Sequence, residues 1–78
     1  MSSNLLTERE FEVLKYIVKG LSNTQIAHEL VIEPDTVKAH ISSILRKFNL
    51  KSRITAVVQA IKTGIIDVNE IELPTRED

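Results

Sequence analysis

Seventy-eight residues allow one small domain, whose single core must come mostly from helix packing or be supported by a partner. The absence of cysteine excludes a disulfide framework and a thiolate metal site; no apolar run approaches bilayer length and no secretory signal opens the chain, so the expected compartment is the cytosol. The formal charge of −1 hides a division: from Asp67 to Asp78 five acids stand against Arg76 alone, whereas from Glu33 to Arg53 Lys38, Arg46, Lys47, Lys51 and Arg53 outweigh Glu33 and Asp35.

Residues 1–5 form a short polar lead without a structural signal. Thr7 and Glu10, three apart and just before an apolar run, form a capping box. The first helix is therefore expected from about Glu8 to Lys19, with Gly20 in a left-handed position just past its end. Its apolar face takes Val13, Leu14, Ile17 and Val18, with Phe11 on the flank. Glu10 projects into the middle of that face. A carboxylate there is costly to desolvate, and beyond its capping role it needs a cation from elsewhere in the chain.

Ser22 and Gln25 repeat the capping pattern and start a short second helix, Asn23 to Leu30. Ile26 and Leu30 face inward, and Ala27 is small enough to let a neighbouring helix approach. Only Val31, Ile32 and Glu33 separate this helix from Pro34, which suits the first position of the next one because its missing N–H had no partner there. So short a joint forces a steep crossing, as in a helix-turn-helix or another tight αα-corner.

The third helix, Pro34 to Phe48, carries Val37, Ile41, Ile44, Leu45 and Phe48 on one stripe of a 3.6-residue repeat. Its other side holds Asp35, Lys38, Ala39, Ser42, Ser43 and Arg46, all short or basic save the acid. Such a helix suits a DNA major groove, although by itself it also fits an ordinary amphipathic surface helix. His40 falls on the edge between the two faces, either packed in the core or against a phosphate.

Ser52 is a good N-cap for a fourth helix from about Arg53 to Thr63, punctuated by Gly64. Its apolar residues form two stripes: Ala56, Val57 and Ala60, then Ile54, Val58 and Ile61. A chain this small can hardly cover both, so a second copy or the folded-back tail is expected over the outer one. Residues 65–73 alternate partly between apolar and acidic and fit an extended flap or a poor helical turn. Residues 74–78 read as a frayed end.

Taken in order, Leu6-Thr7-x-Arg9-Glu10, Val13-Leu14, Gly20-x-Ser22-Asn23-x-x-Ile26-Ala27, Leu30, Thr36-Val37-Lys38-x-His40, Leu50-x-x-Arg53 and Ala56-Val57 resemble the LuxR/NarL, or GerE-like, type of DNA-binding domain. The resemblance covers about residues 6–64 and leaves the lead and an acidic tail, 65–78, outside it. It implies an all-α fold, a four-helix bundle with a central helix-turn-helix. It also implies a sequence-specific transcriptional regulator that binds double-stranded promoter DNA as a homodimer through the fourth helix, with RNA polymerase a further partner.

By position, the resemblance makes Lys38, Ala39 and Ser42 the base readers. Lysine can donate to guanine O6 and N7, and the alanine methyl can meet that of thymine. Ser22, Asn23, Thr36, His40, Arg46 and Lys47 become backbone contacts, which fix register and carry the salt-dependent part of affinity. Ile54, Thr55, Val58, Ile61 and Lys62 become the dimer surface. Several relatives carry a basic residue where this chain has Ser42. Asp35 and Glu33 favour the helix macrodipole but repel phosphate. Val31 occupies a turn position where the wider helix-turn-helix class prefers glycine. Arg53, at a near-invariant position of the pattern, is expected to pair with Glu10 and tie the first helix to the fourth.

The competing function is a protein-interaction module of the same fold with weak or no DNA binding, favoured by Asp35, Ser42 and the acidic tail. An enzyme is not expected: His28 and His40 lie on different helices without ligand spacing, and neither a phosphate-binding glycine loop nor a nucleophile motif occurs, so no cofactor or metal is assigned. The chain fits both a small stand-alone regulator and the output domain of a longer response regulator.

Overall fold

The computed structural model describes residues 6–67. They form four helices, α1 Glu8–Val18, α2 Asn23–Leu30, α3 Pro34–Phe48 and α4 Arg53–Lys62, and no strand among the described residues. Each start has a local cause. Thr7, Ser22 and Ser52 are N-caps, each in a reciprocal capping box with Glu10, Gln25 and Thr55 respectively. Glu33 makes no side-chain cap, and α3 opens instead on Pro34. The lead, 1–5, and the tail beyond Asp67, including most of the expected flap, lie outside the described residues.

Three helix ends close in the same way, with an N–H reaching five residues back: Leu21 to Tyr16 O at 3.1 Å, Ile32 to Ala27 O at 3.0 Å and Leu50 to Leu45 O at 2.8 Å. This closure needs a left-handed residue at the turn. Gly20 and Asn49 supply it at little cost. At the α2–α3 joint the residue is Val31, at φ 56° and ψ 51°. A β-branched side chain is strained there, and Val31 is 88% exposed, so no packing offsets the strain.

α3 is the central rod and packs against α1, α2 and α4. Its own Val37 and Ile44, with Val13 and Leu14 of α1 and Ile26 of α2, are the largest fully buried side chains of one core, to which Leu6 adds a residue ahead of α1. Ala27 is buried where α2 meets the core, as its size suggested. Ala56 and Ala60 present the narrow inner side of α4. Beyond α4, Ile66 is buried and its N–H donates to Ala60 O at 3.3 Å.

Glu10 is the buried charged residue of this core, and its partner is not Arg53. Lys47 Nζ donates to Glu10 Oε1 at 2.7 Å, Ser43 Oγ donates to Oε2 at 2.6 Å, and the Thr7 N–H donates to Oε1 at 3.0 Å. The expected pairing with Arg53 is thus replaced by a link from α1 to α3. Ser43 and Lys47 lie four apart, one above the other on a single flank of α3, and that flank faces α1. Burial pushes the Glu10 carboxyl up, but the hydrogen bonds from Lys47, Ser43 and the Thr7 backbone outweigh it and hold the pKa at about 2.

Two outcomes test these features. Val31→Gly should stabilise the fold by up to about 1 kcal/mol, read as a higher urea midpoint, because relief of the left-handed valine exceeds the added freedom of the unfolded chain; a lower midpoint would contradict the strain. For Glu10, a carboxyl whose folded pKa lies below its unfolded value contributes stability that is complete above about pH 5 and is lost as pH falls toward 2. Glu10→Gln should flatten that acid limb, which is worth on the order of 3 kcal/mol. In double-mutant cycles Glu10→Gln should couple to Lys47→Ala and add to Arg53→Ala within about 0.5 kcal/mol.

Candidate nucleic-acid interface

With one side of α3 buried and one flank clamped, the remaining surface is defined. Asp35, Lys38, Ala39, Ser42 and Arg46 are all exposed, and they fall within an arc of about 100°. Thr36 is exposed beside them. All three residues assigned to base reading therefore stand on one open face. Ser43, expected on that face, is turned aside to Glu10. Lys47, expected at a phosphate, spends its ammonium on the same carboxylate. His40 is half-buried at the edge of the arc.

The charges of the arc are uncommitted. Among the described residues Lys38, Arg46 and Asp35 make no ion pair or side-chain hydrogen bond. Several cations elsewhere are engaged: Arg9 with Glu12 at 3.4 Å, Lys15 over the Phe11 ring and Lys19 over the Tyr16 ring. The basic groups left open on α3 are thus two, one near each end of its outer face, with Ala39 and Ser42 between them.

The start of α2 is tied to the start of α4. Arg53 donates through one guanidinium nitrogen to Asn23 Oδ1 and through the other to Leu21 O, each at 2.6 Å. The fork satisfies two acceptors around a helix start, a geometry that suits a planar guanidinium better than an ammonium. Arg53 is therefore a tie as expected, but from α4 to α2 rather than to α1. Asn23, expected at a phosphate, has its carbonyl oxygen occupied and keeps the amide N–H groups. Ser22 is exposed, and its hydroxyl oxygen accepts from the Gln25 N–H at 3.2 Å.

α4 separates its two stripes as its sequence suggested. Ala56 and Ala60 are buried and Val57 is half-buried, while Ile54, Val58 and Ile61 are 74%, 51% and 39% exposed. Thr55 and Lys62 flank them in solvent, although the Thr55 hydroxyl donates to Ser52 O at 2.6 Å and so belongs to the helix cap as well. Among the described residues no group of histidine and acidic side chains is set to hold a metal ion, and no helix is long and apolar enough to cross a membrane.

Sequence reasoning missed Ser43 and Asn23 as structural ligands. The signal for Ser43 was faint: a small hydroxyl four residues before a lysine, next to a stripe that must face an acid. For Asn23 there was none, because its partner is thirty residues away.

Residues 4–60 match the family described as Bacterial regulatory proteins, luxR family. The chain is 46% identical over 65 residues to the transcriptional regulatory protein DegU of Brevibacillus brevis, covering 83% of this chain and 28% of that protein. It is 51% identical over 55 residues to the nitrate/nitrite response regulator protein NarP of Escherichia coli, covering 70% of this chain and 26% of the relative. Among solved structures, the response regulator ChrA of a heme-sensing two-component system superposes with a TM-score of 0.76 at 35% identity, over 85% of this chain and 33% of ChrA. The chain thus spans about a quarter to a third of the length of these relatives. A helix-turn-helix built from α2 and α3, an outer face of α3 left open, and a family match across most of the described residues agree: the chain belongs to the luxR family of bacterial regulatory proteins, a family of DNA-binding transcriptional regulators.

Proposed function

We propose that this domain, residues 6–64, binds promoter DNA as a homodimer, with α3 in the major groove of each half-site and the outer stripe of α4 between the two copies. One observation carries the groove assignment: the arc of Lys38, Ala39 and Ser42 is exposed and unpartnered while the opposite side of α3 is buried by three other helices. A groove admits such a helix, and the first turns of a recognition helix are the ones that meet base edges. Lys38 donates to guanine O6 and N7, Ala39 offers a methyl group to thymine, and Ser42 takes either a donor or an acceptor.

Arg46, Thr36 and Ser22 are the backbone contacts, joined by the Asn23 amide and by His40 at the rim. Lys47 leaves that set, because drawing its ammonium to a phosphate would strand the Glu10 carboxylate in the core. Ile54, Val58 and Ile61 form the centre of an isologous contact, in which the same patch meets itself across a two-fold axis. Thr55 and Lys62 form its rim. The reading holds for the chain alone and for the same domain as the output unit of a longer response regulator, working in the cytoplasm and, at a promoter, beside RNA polymerase.

The test is selection of bound sequences from a pool of randomised duplexes. Lys38→Ala should lose one guanine preference per half-site, worth about 1–3 kcal/mol. Equal selection by wild type and variant would refute the groove assignment. Absence of any binding above random duplex would favour an interaction module of the same fold. Arg46→Ala should weaken all sequences alike and lower the salt slope by about one. Val58→Glu should shift sedimentation to the monomer while leaving the circular dichroism of the fold intact; an unchanged sedimentation profile would remove α4 from the interface.

A further inference from the structure

Asp35 is the second residue of α3, exposed, and on the arc that holds Lys38 and Ala39. Among the described residues no partner engages it, and Lys38, one turn on, is equally unengaged. Two opposite charges thus stand one turn apart on the outer face without closing on each other. The positive end of the helix macrodipole accounts for an acid in the first turn. It does not account for an acid on the one face that otherwise holds only cations and small groups.

In a groove that carboxylate lies between phosphates. It gives up hydration on docking and gains nothing unless a donor meets it. The major-groove edges limit what can: cytosine presents an N4–H₂ donor alone, adenine sets its N6–H₂ beside an N7 acceptor that repels the second carboxylate oxygen, guanine presents two acceptors, and thymine an acceptor and a methyl group. We infer that Asp35 is a specificity-determining residue, accepting from the N4–H₂ of a cytosine within one or two base pairs of the guanine read by Lys38. The inference rests on the docking of α3 proposed above.

The spacing fits. Three residues advance α3 by about 4.5 Å, against about 3.4 Å for one step along a strand. Lys38 and Asp35 then read edges of opposite character, a double acceptor and a donor. Each also rejects the edge that suits the other, because a carboxylate facing O6 or O4 meets like with like.

Selection from randomised duplexes at one fixed salt concentration, with wild type, Asp35→Ala, Asp35→Asn and Lys38→Ala, tests this. Wild type should enrich a cytosine close to the Lys38 guanine. Asp35→Ala should keep the guanine and lose the cytosine, with on the order of a tenfold fall in discrimination at that position. It should bind unselected duplex as well as wild type or better, because a charge that repels phosphate is gone. Asp35→Asn should move the preference toward adenine, whose N6 and N7 match an amide. A cytosine that survives both Asp35 variants, or its absence from the wild-type selection, overturns the inference. If Lys38→Ala erases a guanine while the Asp35 variants change nothing, this inference fails alone. If wild type enriches no sequence at all, the docking of α3 fails and this inference falls with it.

Discussion

A buried carboxylate sets the roll of the helix that faces outward. Apolar packing is not directional, and a core of valine, leucine and isoleucine tolerates some rotation of α3 about its axis. Glu10 does not. Its two oxygens take hydrogen bonds from Ser43, Lys47 and the Thr7 N–H at 2.6 to 3.0 Å. Rotating α3 would pull both side chains off the carboxylate and leave a charge in the core with only the Thr7 N–H to meet it, which costs several kcal/mol. The same residue caps α1, so the start of one helix and the rotational setting of another depend on a single side chain. The exposed arc of α3 is what remains after the core has taken one side and this clamp has taken a flank.

The second polar tie is complementary. Arg53 reaches from the first turn of α4 to the loop and first residue of α2. α2 is short, eight residues, and isolated helices of that length are marginal. It is held by Ile26 and Ala27 in the core and by the Arg53 fork at its start. The result is a frame in which α1 fixes α3 and α4 fixes α2, so the two members of the helix-turn-helix are each referred to an outside helix. Their own joint, strained at Val31, does not have to set their angle alone.

Much of this was legible from local chemistry. Capping boxes at Thr7 and Ser22, a cap at Ser52, proline at the head of α3 and glycine after α1 and α4 act within one turn, so they mark helix limits directly. α1 and α4 each end one residue before the expected position, at Val18 and Lys62, because the following residue already serves as the cap. The need of Glu10 for a cation was also legible, since a carboxylate within an apolar stripe demands one. Its identity was not. Several cations are available, and which one arrives depends on the roll of α3 and on the reach of a lysine stem, quantities fixed by the assembled core. Lys47 was expected at a phosphate from its position in the resemblance, and position does not record which way the assembled core draws its stem. The left-handed conformation of Val31 was signalled only by the glycine preferred at that turn in the wider class, because the three-residue joint between helices imposes it against the residue's own preference.

The uncommitted groups that remain explain why a second copy matters to the proposed reading. Once Lys47 is assigned to Glu10 and the Asn23 carbonyl to Arg53, the proposed docking leaves one domain few phosphate contacts, chiefly Arg46, Thr36 and Ser22. The affinity that depends on counterion release scales with that number, and Asp35 subtracts from it. On that reading a single copy would be poorly equipped to hold random DNA, and its affinity would lean on the base edges it can match. Pairing through Ile54, Val58 and Ile61 changes the arithmetic, since the second half-site is then met at high effective concentration and the two sets of base contacts combine. On the proposed reading, a domain weak in phosphate contacts and joined through an apolar stripe would give up general affinity for DNA and gain discrimination between sequences. The same trade is written into α3, whose cations are split between holding the core, as Lys47 does, and standing open to solvent, as Lys38 and Arg46 do.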